Sequence, residues 1–340
     1  MSLSLIQKVV AVAAVLSLWP RAGAPSPQAP AVAAVARPVH TYSIVARDSV
    51  TGEIGVAVQS HWFSVGSVVT WAEAGVGAVA TQSIAEVSYG PLGLDLMRAG
   101  KTARQALDGL LAADPQREVR QVAMVDARGG VAVHTGSRCI AEAGHHAGAQ
   151  YTVQANLMEK RTVWDAMARA YETSAGDLAE RLLAALEAAQ AEGGDIRGQQ
   201  SAAILIVPAA STGRPYADRA MDLRVEDHGA PVGELRRLVD VHRAYERMNA
   251  GDERLAVDDV EGALAAYGDA ARLLPDNPEV KFWAAVTMVE AGREGEAIAF
   301  FREVFAADPK WMEVVRRLPR SGFLRDDAEL IARILAAGEH

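Results

Sequence analysis

The sequence predicts an α+β protein of four layers, two β-sheets packed face to face with helices outside, followed by an all-α segment of helical repeats. Three observations carry this prediction. Short strand-like runs alternate in groups with pairs of helical segments. Many positions in those runs are apolar on both faces and rich in Gly and Ala, as in strands covered on both sides. Near residue 230 the strand pattern stops, and landmarks spaced 34 residues apart take over.

The first run, Thr41–Arg47, ends in the turn cluster Asp48-Ser-Val-Thr-Gly52, and a second strand follows over Ile54–Ser60. After His61-Trp-Phe63, strands are expected over Ser67–Trp71 and Val76–Gln82, split around Ala74-Gly75. Tyr89-Gly-Pro91 opens a helix, with proline where the first turn tolerates it. A second helix runs from the capping box Thr102-Ala-Arg-Gln105 to Ala113. Strands Arg120–Asp126 and Val131–Thr135 flank Ala127-Arg-Gly-Gly130, a hairpin signal, and Tyr151–Asn156 reads as another strand. Helices Thr162–Tyr171 and Gly176–Gln190 and strands Ser201–Val207 and Arg219–Val225 complete this part.

Residues 231–248 read as one amphipathic helix. Beyond it Ala263, Tyr267 and Pro275 are matched by Ala297, Phe301 and Pro309, each 34 residues on. That is the tetratricopeptide period, with small residues where paired helices approach and proline after the second helix. About two units are fewer than independent stability needs, so the repeats are expected to lean on the 231–248 helix or on another chain.

With 340 residues, 50% hydrophobic and 23% charged, the chain is ordinary globular protein of about two domains. A net charge of −9 without a basic stretch argues against nucleic acid as a partner. Lys8, the apolar run Val9–Trp19 and Pro20-Arg-Ala-Gly-Ala24 have the parts of a secretory signal over residues 1–24, too short for a comfortable membrane span. Residues 25–40, mostly Ala, Pro and Val, read as a linker or pro-segment. The expected location is periplasmic or secreted, with membrane anchoring the lesser alternative. Cys139, the single cysteine, has no internal disulfide partner and reads as a small semi-buried residue.

Everything ahead of Thr41 looks removable. If the chain were cut there, a hydroxyl nucleophile and an α-amine base would share one residue; the bland alternative is a β-favouring residue that starts a strand. Thr41-Tyr-Ser-Ile-Val-Ala-Arg-Asp48, Gly55-Val-Ala-Val-Gln-Ser60, Ala74-Gly-Val-Gly-Ala-Val-Ala-Thr-Gln82 and Gly193-Gly-Asp-Ile-Arg-Gly-Gln-Gln-Ser201 together resemble the bacterial DUF1028 family. That family is assigned to the N-terminal nucleophile (Ntn) hydrolase fold. The resemblance covers roughly residues 40–245 and implies the αββα sandwich, with a nucleophile at the first residue of the first strand. The leader departs from relatives in which that threonine follows the initiator Met.

Ser60 ends the second strand and would bond the amine or orient the hydroxyl, or else close a strand-end turn. Gln82 and Asn156, amide donors at strand ends, are candidate oxyanion partners against a reading of plain backbone satisfaction. Gln59 and the cluster Asp195, Arg197, Gln200 and Ser201 are candidate substrate-binding residues; the Asp195–Arg197 pair holds either a substrate carboxylate or its own loop. His61-Trp62-Phe63 lines a pocket or packs. His145-His146 reads as a solvated loop, because adjacent histidines do not converge on one ion. No phosphate loop, Ser-His-Asp constellation or dinucleotide fingerprint is visible, and no metal or organic cofactor is implied. The expectation is an exported amide-bond hydrolase acting on a small amide or peptide, with the repeats binding a protein partner or extending a homo-oligomer interface. The alternative is a non-catalytic scaffold that presents the repeats.

Overall fold

The computed structural model describes residues 41–338; the leader and linker readings of residues 1–40 lie outside them. The described residues open with β1 (Thr41–Arg47), β2 (Ile54–Ser60), α1 (Gly66–Val69), β3 (Thr70–Glu73) and β4 (Gly77–Ser83). Helices α2 (Tyr89–Arg98) and α3 (Ala103–Ala113) precede β5 (Arg120–Asp126), β6 (Val131–Thr135), β7 (Gly144–Gly148) and β8 (Tyr151–Ala155). Then come α4 (Val163–Thr173), α5 (Leu178–Ala191), β9 (Ser201–Val207) and β10 (Met221–Val225). The helical part is α6 (Pro231–Leu255), α7 (Val260–Leu273), α8 (Pro278–Glu290), α9 (Glu294–Ala307), α10 (Trp311–Ser321) and α11 (Ala328–Ala336).

Strands β10-β9-β2-β1-β8-β7 form a six-stranded sheet, and β3-β4-β5-β6 form a four-stranded one. The pleat sorts their side chains into three cores. Tyr42, Ile44, Ala57, Val153 and Ile204 turn outward against Met167, Leu182 and Leu235 of α4, α5 and α6. Val45, Val56 and Val58 meet Ala78, Ala80 and Ala123 of the facing sheet. Val79, Val122 and Met124 pack outward under Leu94 of α2 and Leu107 of α3. The result is the four-layer αββα sandwich. Ala78 and Ala80 of β4 are small residues on the side that meets the other sheet and let the sheets approach, whereas Gly55 and Ala57 of β2 face the helices, where a Cβ on Gly55 would meet Leu182 of α5 at 2.8 Å.

Local chemistry sets the element ends. Thr102 and Gln105 close the reciprocal capping box of α3, at 3.2 and 3.1 Å. Asp177 accepts the Glu180 N–H at 2.9 Å and starts α5.

Three elements differ from the sequence expectation. Ser67–Trp71 is not one strand: Gly66–Val69 makes a helical turn, and the strand begins at Thr70. The turn is held by tertiary bonds, since the Val65 N–H reaches the Ser201 hydroxyl at 3.0 Å and the Ser64 N–H reaches the Glu226 carbonyl at 3.0 Å. The Thr70 hydroxyl adds a local bond to the Gly66 carbonyl at 2.7 Å. His145 and His146 lie on the edge strand β7 instead of in a loop, paired with β8 at Gln154 and Val153. Alternation sends them apart, His145 to the Thr135 hydroxyl at 2.8 Å and His146 toward Asp165 at 3.6 Å. Helix α6 passes the expected end at 248 and runs to Leu255. Gly251 allows this, because a Cβ there would meet the Tyr267 ring at 2.8 Å, so the missing side chain seats α7 on the α6 backbone.

Helices α7 and α9 start at Val260 and Glu294 and end at Leu273 and Ala307, the 34-residue offset read in the sequence. Ala263, Tyr267, Ala297 and Phe301 are buried between the pairs. Met248 and Ala244 of α6 share a core with Ala263 and Tyr267, so that helix does flank the first repeat. Among the described residues no helix is long and apolar enough to cross a membrane.

Candidate active site

The first residue of β1 stands at one end of the space between the sheets. In register across the large sheet, Thr41 lies opposite Ser60, and Ser60 lies opposite Ser201. The Asn156 N–H donates to the Thr41 carbonyl at 3.1 Å and extends that row to β8. Val45, Val58 and Ala203 belong to the inter-sheet core, and the row shares their parity. Asn156, Thr41, Ser60 and Ser201 therefore all face the inter-sheet side. From the other sheet, Gln82, Gln121 and Thr135 form the matching row, paired Gln82 to Gln121 and Gln121 to Thr135. Two polar rows thus cap a space whose depths are lined by Val and Ala.

A fully buried amide network joins the rows. The Ser43 hydroxyl donates to Gln82 Oε1 at 2.6 Å and accepts from Gln154 Nε2 at 2.5 Å. Gln82 Nε2 donates to Gln121 Oε1 at 2.7 Å, to the Thr41 carbonyl at 3.2 Å and to the Gln154 carbonyl at 3.4 Å. Asn156 Nδ2 donates to Gln121 Oε1 at 2.8 Å and to the Thr41 carbonyl at 3.4 Å. Gln121 Nε2 reaches the Thr135 hydroxyl and the Ala155 carbonyl, each at 2.9 Å, and the Gly144 carbonyl at 3.1 Å. The Thr41 carbonyl thus receives three donors, which fix the position of that peptide. Gln82 and Asn156 meet at Thr41 as their strand-end positions suggest, with their amide protons turned to its backbone and to Gln121.

Sequence reasoning missed Ser43, Gln121, Thr135 and Gln154. A usable sign was present: Thr152, Gln154 and Asn156 recur at every second position of a strand whose other face is apolar. Gln121 stands alone among the apolar residues that follow it in β5.

The cluster at 195–201 works on the loop after β2. Asp195 is 2% exposed and accepts the His61 N–H at 3.1 Å and the Arg197 N–H at 2.9 Å. It also takes Arg197 Nε at 3.0 Å and Nη2 at 2.6 Å. The Ser201 hydroxyl binds the Trp62 carbonyl and Val65 N–H, while the Gln200 carbonyl takes the His228 N–H at 2.7 Å. The bonds from Asp195 and Ser201 order residues 61–65 beside Ser60, while the Gln200 bond ties its own segment to His228. Trp62 packs on the inter-sheet core, whereas Phe63 is 63% exposed.

Gln59 is one residue from Ser60 and so faces the opposite side, toward the helices, opposite Tyr42 in register. It is buried, and among the described residues neither of its amide atoms has a hydrogen-bond partner. Tyr42 donates to Gln190 Oε1 at 2.9 Å. Burial, then the nearby Asp195 charge, pushes its phenol well above the ordinary range, so it stays a neutral donor. The Cys139 thiol donates to the Arg120 carbonyl at 3.3 Å, and burial raises its pKa, which keeps it protonated.

Comparison with known proteins agrees with this architecture. Residues 41–235 match the model of a family of unknown function, DUF1028, and residues 254–318 match a tetratricopeptide repeat. A crystal structure of a DUF1028 protein from Silicibacter pomeroyi is 30% identical and superposes with a TM-score of 0.52. The match covers 59% of this chain and 88% of that one. No curated protein matches. The chain belongs to the DUF1028 family and carries a tetratricopeptide repeat C-terminal to its family domain.

Proposed function

We propose that the sandwich is an amide-bond hydrolase of the N-terminal nucleophile type, with Thr41 as nucleophile once the His40–Thr41 bond has been cut. One observation carries the reading: the first residue of β1 stands at the end of the inter-sheet space, with three donors fixing its carbonyl. A nucleophile gains most from such fixed placement, because a misplacement of about 1 Å costs on the order of 100-fold in rate.

In this reading the α-amine takes the hydroxyl proton and Oγ1 adds to the substrate carbonyl carbon. The C–N bond breaks as the amine leaving group takes that proton, leaving an ester on Thr41 that water hydrolyses. Ser60, directly across the strand pair, has its Cβ about 4.5–5.5 Å from that of Thr41, close enough for its hydroxyl to orient the amine. Gln82 and Asn156 act as positioning residues, since their amide protons already have acceptors; stabilising the oxyanion falls to backbone N–H groups. The substrate is an amide or a peptide. The export signal read in residues 1–24 puts the reaction outside the cytoplasm, and cell fractionation that finds the mature chain inside would end that part.

A β-lactone probe, which acylates activated hydroxyls, tests the chemistry. Wild type is expected to gain one acyl group on Thr41 by tandem mass spectrometry. Thr41→Ala is expected to gain none. The labelling rate should rise with pH and level off above about 9, where an α-amine of pKa about 8 is almost wholly neutral. Equal labelling of Thr41→Ala would refute the assignment. A second reading, a non-catalytic scaffold for the repeats, draws on the same amide network, because the side-chain amides of Gln82, Gln121 and Asn156 donate to acceptors inside the protein. Wild type that stays unlabelled after exposure of the Thr41 amine would favour that reading.

A further inference from the structure

The helical part holds a groove of about 870 Å³, bounded by α6, the turn at Asp258, α7, α8 and Phe323. Its walls are mostly apolar or aromatic, Trp283 and Phe323 among them, and Phe323 is 61% exposed. Four carboxylates line it, Asp252, Asp258, Glu279 and Glu290, and no lysine, arginine or histidine does.

Neutralisation of those charges is incomplete. Asp252 accepts the Tyr267 hydroxyl at 2.5 Å, and Glu279 accepts the Tyr245 hydroxyl at 2.7 Å. Phenols carry no compensating charge. The Tyr245 phenol is raised above its ordinary value, first by its bond to Glu279 and then by burial. Among the described residues Glu290 alone of the four has a basic side-chain nitrogen within 4.0 Å, that of Arg325 at 3.8 Å. The groove is therefore a mostly apolar trough whose lining carries three carboxylates without an ion-pair partner among the described residues, complementary to one class of occupant.

We propose that this groove binds a segment of a partner protein in which Lys or Arg side chains stand beside apolar ones. Apolar groups of that segment would fill the trough, its cations would meet Asp252, Asp258 and Glu279, and a guanidinium would find the Trp283 ring face. The same charges repel acidic segments and nucleic acid. The inference rests on the reading of the repeats as a protein-binding surface.

The test applies the purified full chain to an array of nonapeptides randomised at every position, at low and high salt. Retained peptides are expected to be enriched in Lys and Arg, and retention is expected to fall about 10-fold or more at high salt. The double variant Asp258→Asn, Glu279→Gln should retain about 10-fold less while unfolding at the wild-type temperature. Both changes spare the structure: glutamine keeps an oxygen for the Tyr245 hydroxyl, and asparagine suits the left-handed backbone of residue 258, φ 61°. Retained peptides without a Lys/Arg excess, or a double variant that binds like wild type, would overturn the charge assignment and leave the partner-binding reading standing. Retention of no peptide at all would overturn both.

Discussion

Replacing Gln121 with leucine is the sharpest probe of the amide network. The side chain is fully buried, and its Oε1 is the shared acceptor for Gln82 Nε2 at 2.7 Å and Asn156 Nδ2 at 2.8 Å. Leucine has similar bulk and no acceptor, so two buried donors each lose their shorter bond. A buried polar group left short of a partner costs about 1–3 kcal/mol, which gives about 2–6 kcal/mol for the pair. Each donor keeps a longer bond to the Thr41 carbonyl, at 3.2 and 3.4 Å, which favours the lower half of that range. The Gly144 and Ala155 carbonyls also lose a donor, and that works in the other direction. The expected loss is about 2–4 kcal/mol. Urea unfolding followed by far-ultraviolet circular dichroism measures it, with the slope checked for an unchanged unfolded state. A loss below about 1 kcal/mol would refute the claim that this network ties the two sheets together at Thr41.

Asp195→Ala removes the acceptor of the His61 N–H and the Arg197 side chain; Arg197 is partly exposed, so the expected loss is about 2–3 kcal/mol. Limited proteolysis should then cut within residues 193–200, and an uncut loop would count against the clamp. Burial alone would raise the Asp48 carboxyl, yet N–H bonds from Thr51 and Val50 and the Arg181 guanidinium outweigh it and hold its pKa below the usual value. A depressed folded pKa contributes stability above the unfolded value of about 3.9, lost as pH falls through the folded one. The stability gap between wild type and Asp48→Asn should accordingly be full near neutral pH and shrink below about pH 4; urea midpoints across pH measure it, and a constant gap would contradict the assignment.

Much of the sandwich was legible because its strands obey a simple rule. β1 and β2 run between a turn cluster and a polar strand end, and both occupy the expected residues. The 34-residue offset located α7 and α9 because interhelical packing demands small and aromatic residues at fixed positions. What escaped depends on distant partners. The α1 turn exists because Ser201, far along the chain, binds its approach. β7 is a short edge strand of Gly, His and Ala, types with little strand preference, and its register comes from β8. At the site, Thr41, Ser60, Gln82 and Asn156 could be picked out as polar strand ends. That their amides would close on one another through Gln121 could not, because it requires two strands from different sheets in known register.

The central claim concerns one nitrogen, that of Thr41. Chain molecules purified by their β-lactone label, then sequenced from the N-terminus and weighed intact, test it most directly. The expected result is a chain that starts at Thr41 with a free α-amine. Labelled, active molecules in which His40 is still joined to Thr41 would contradict it.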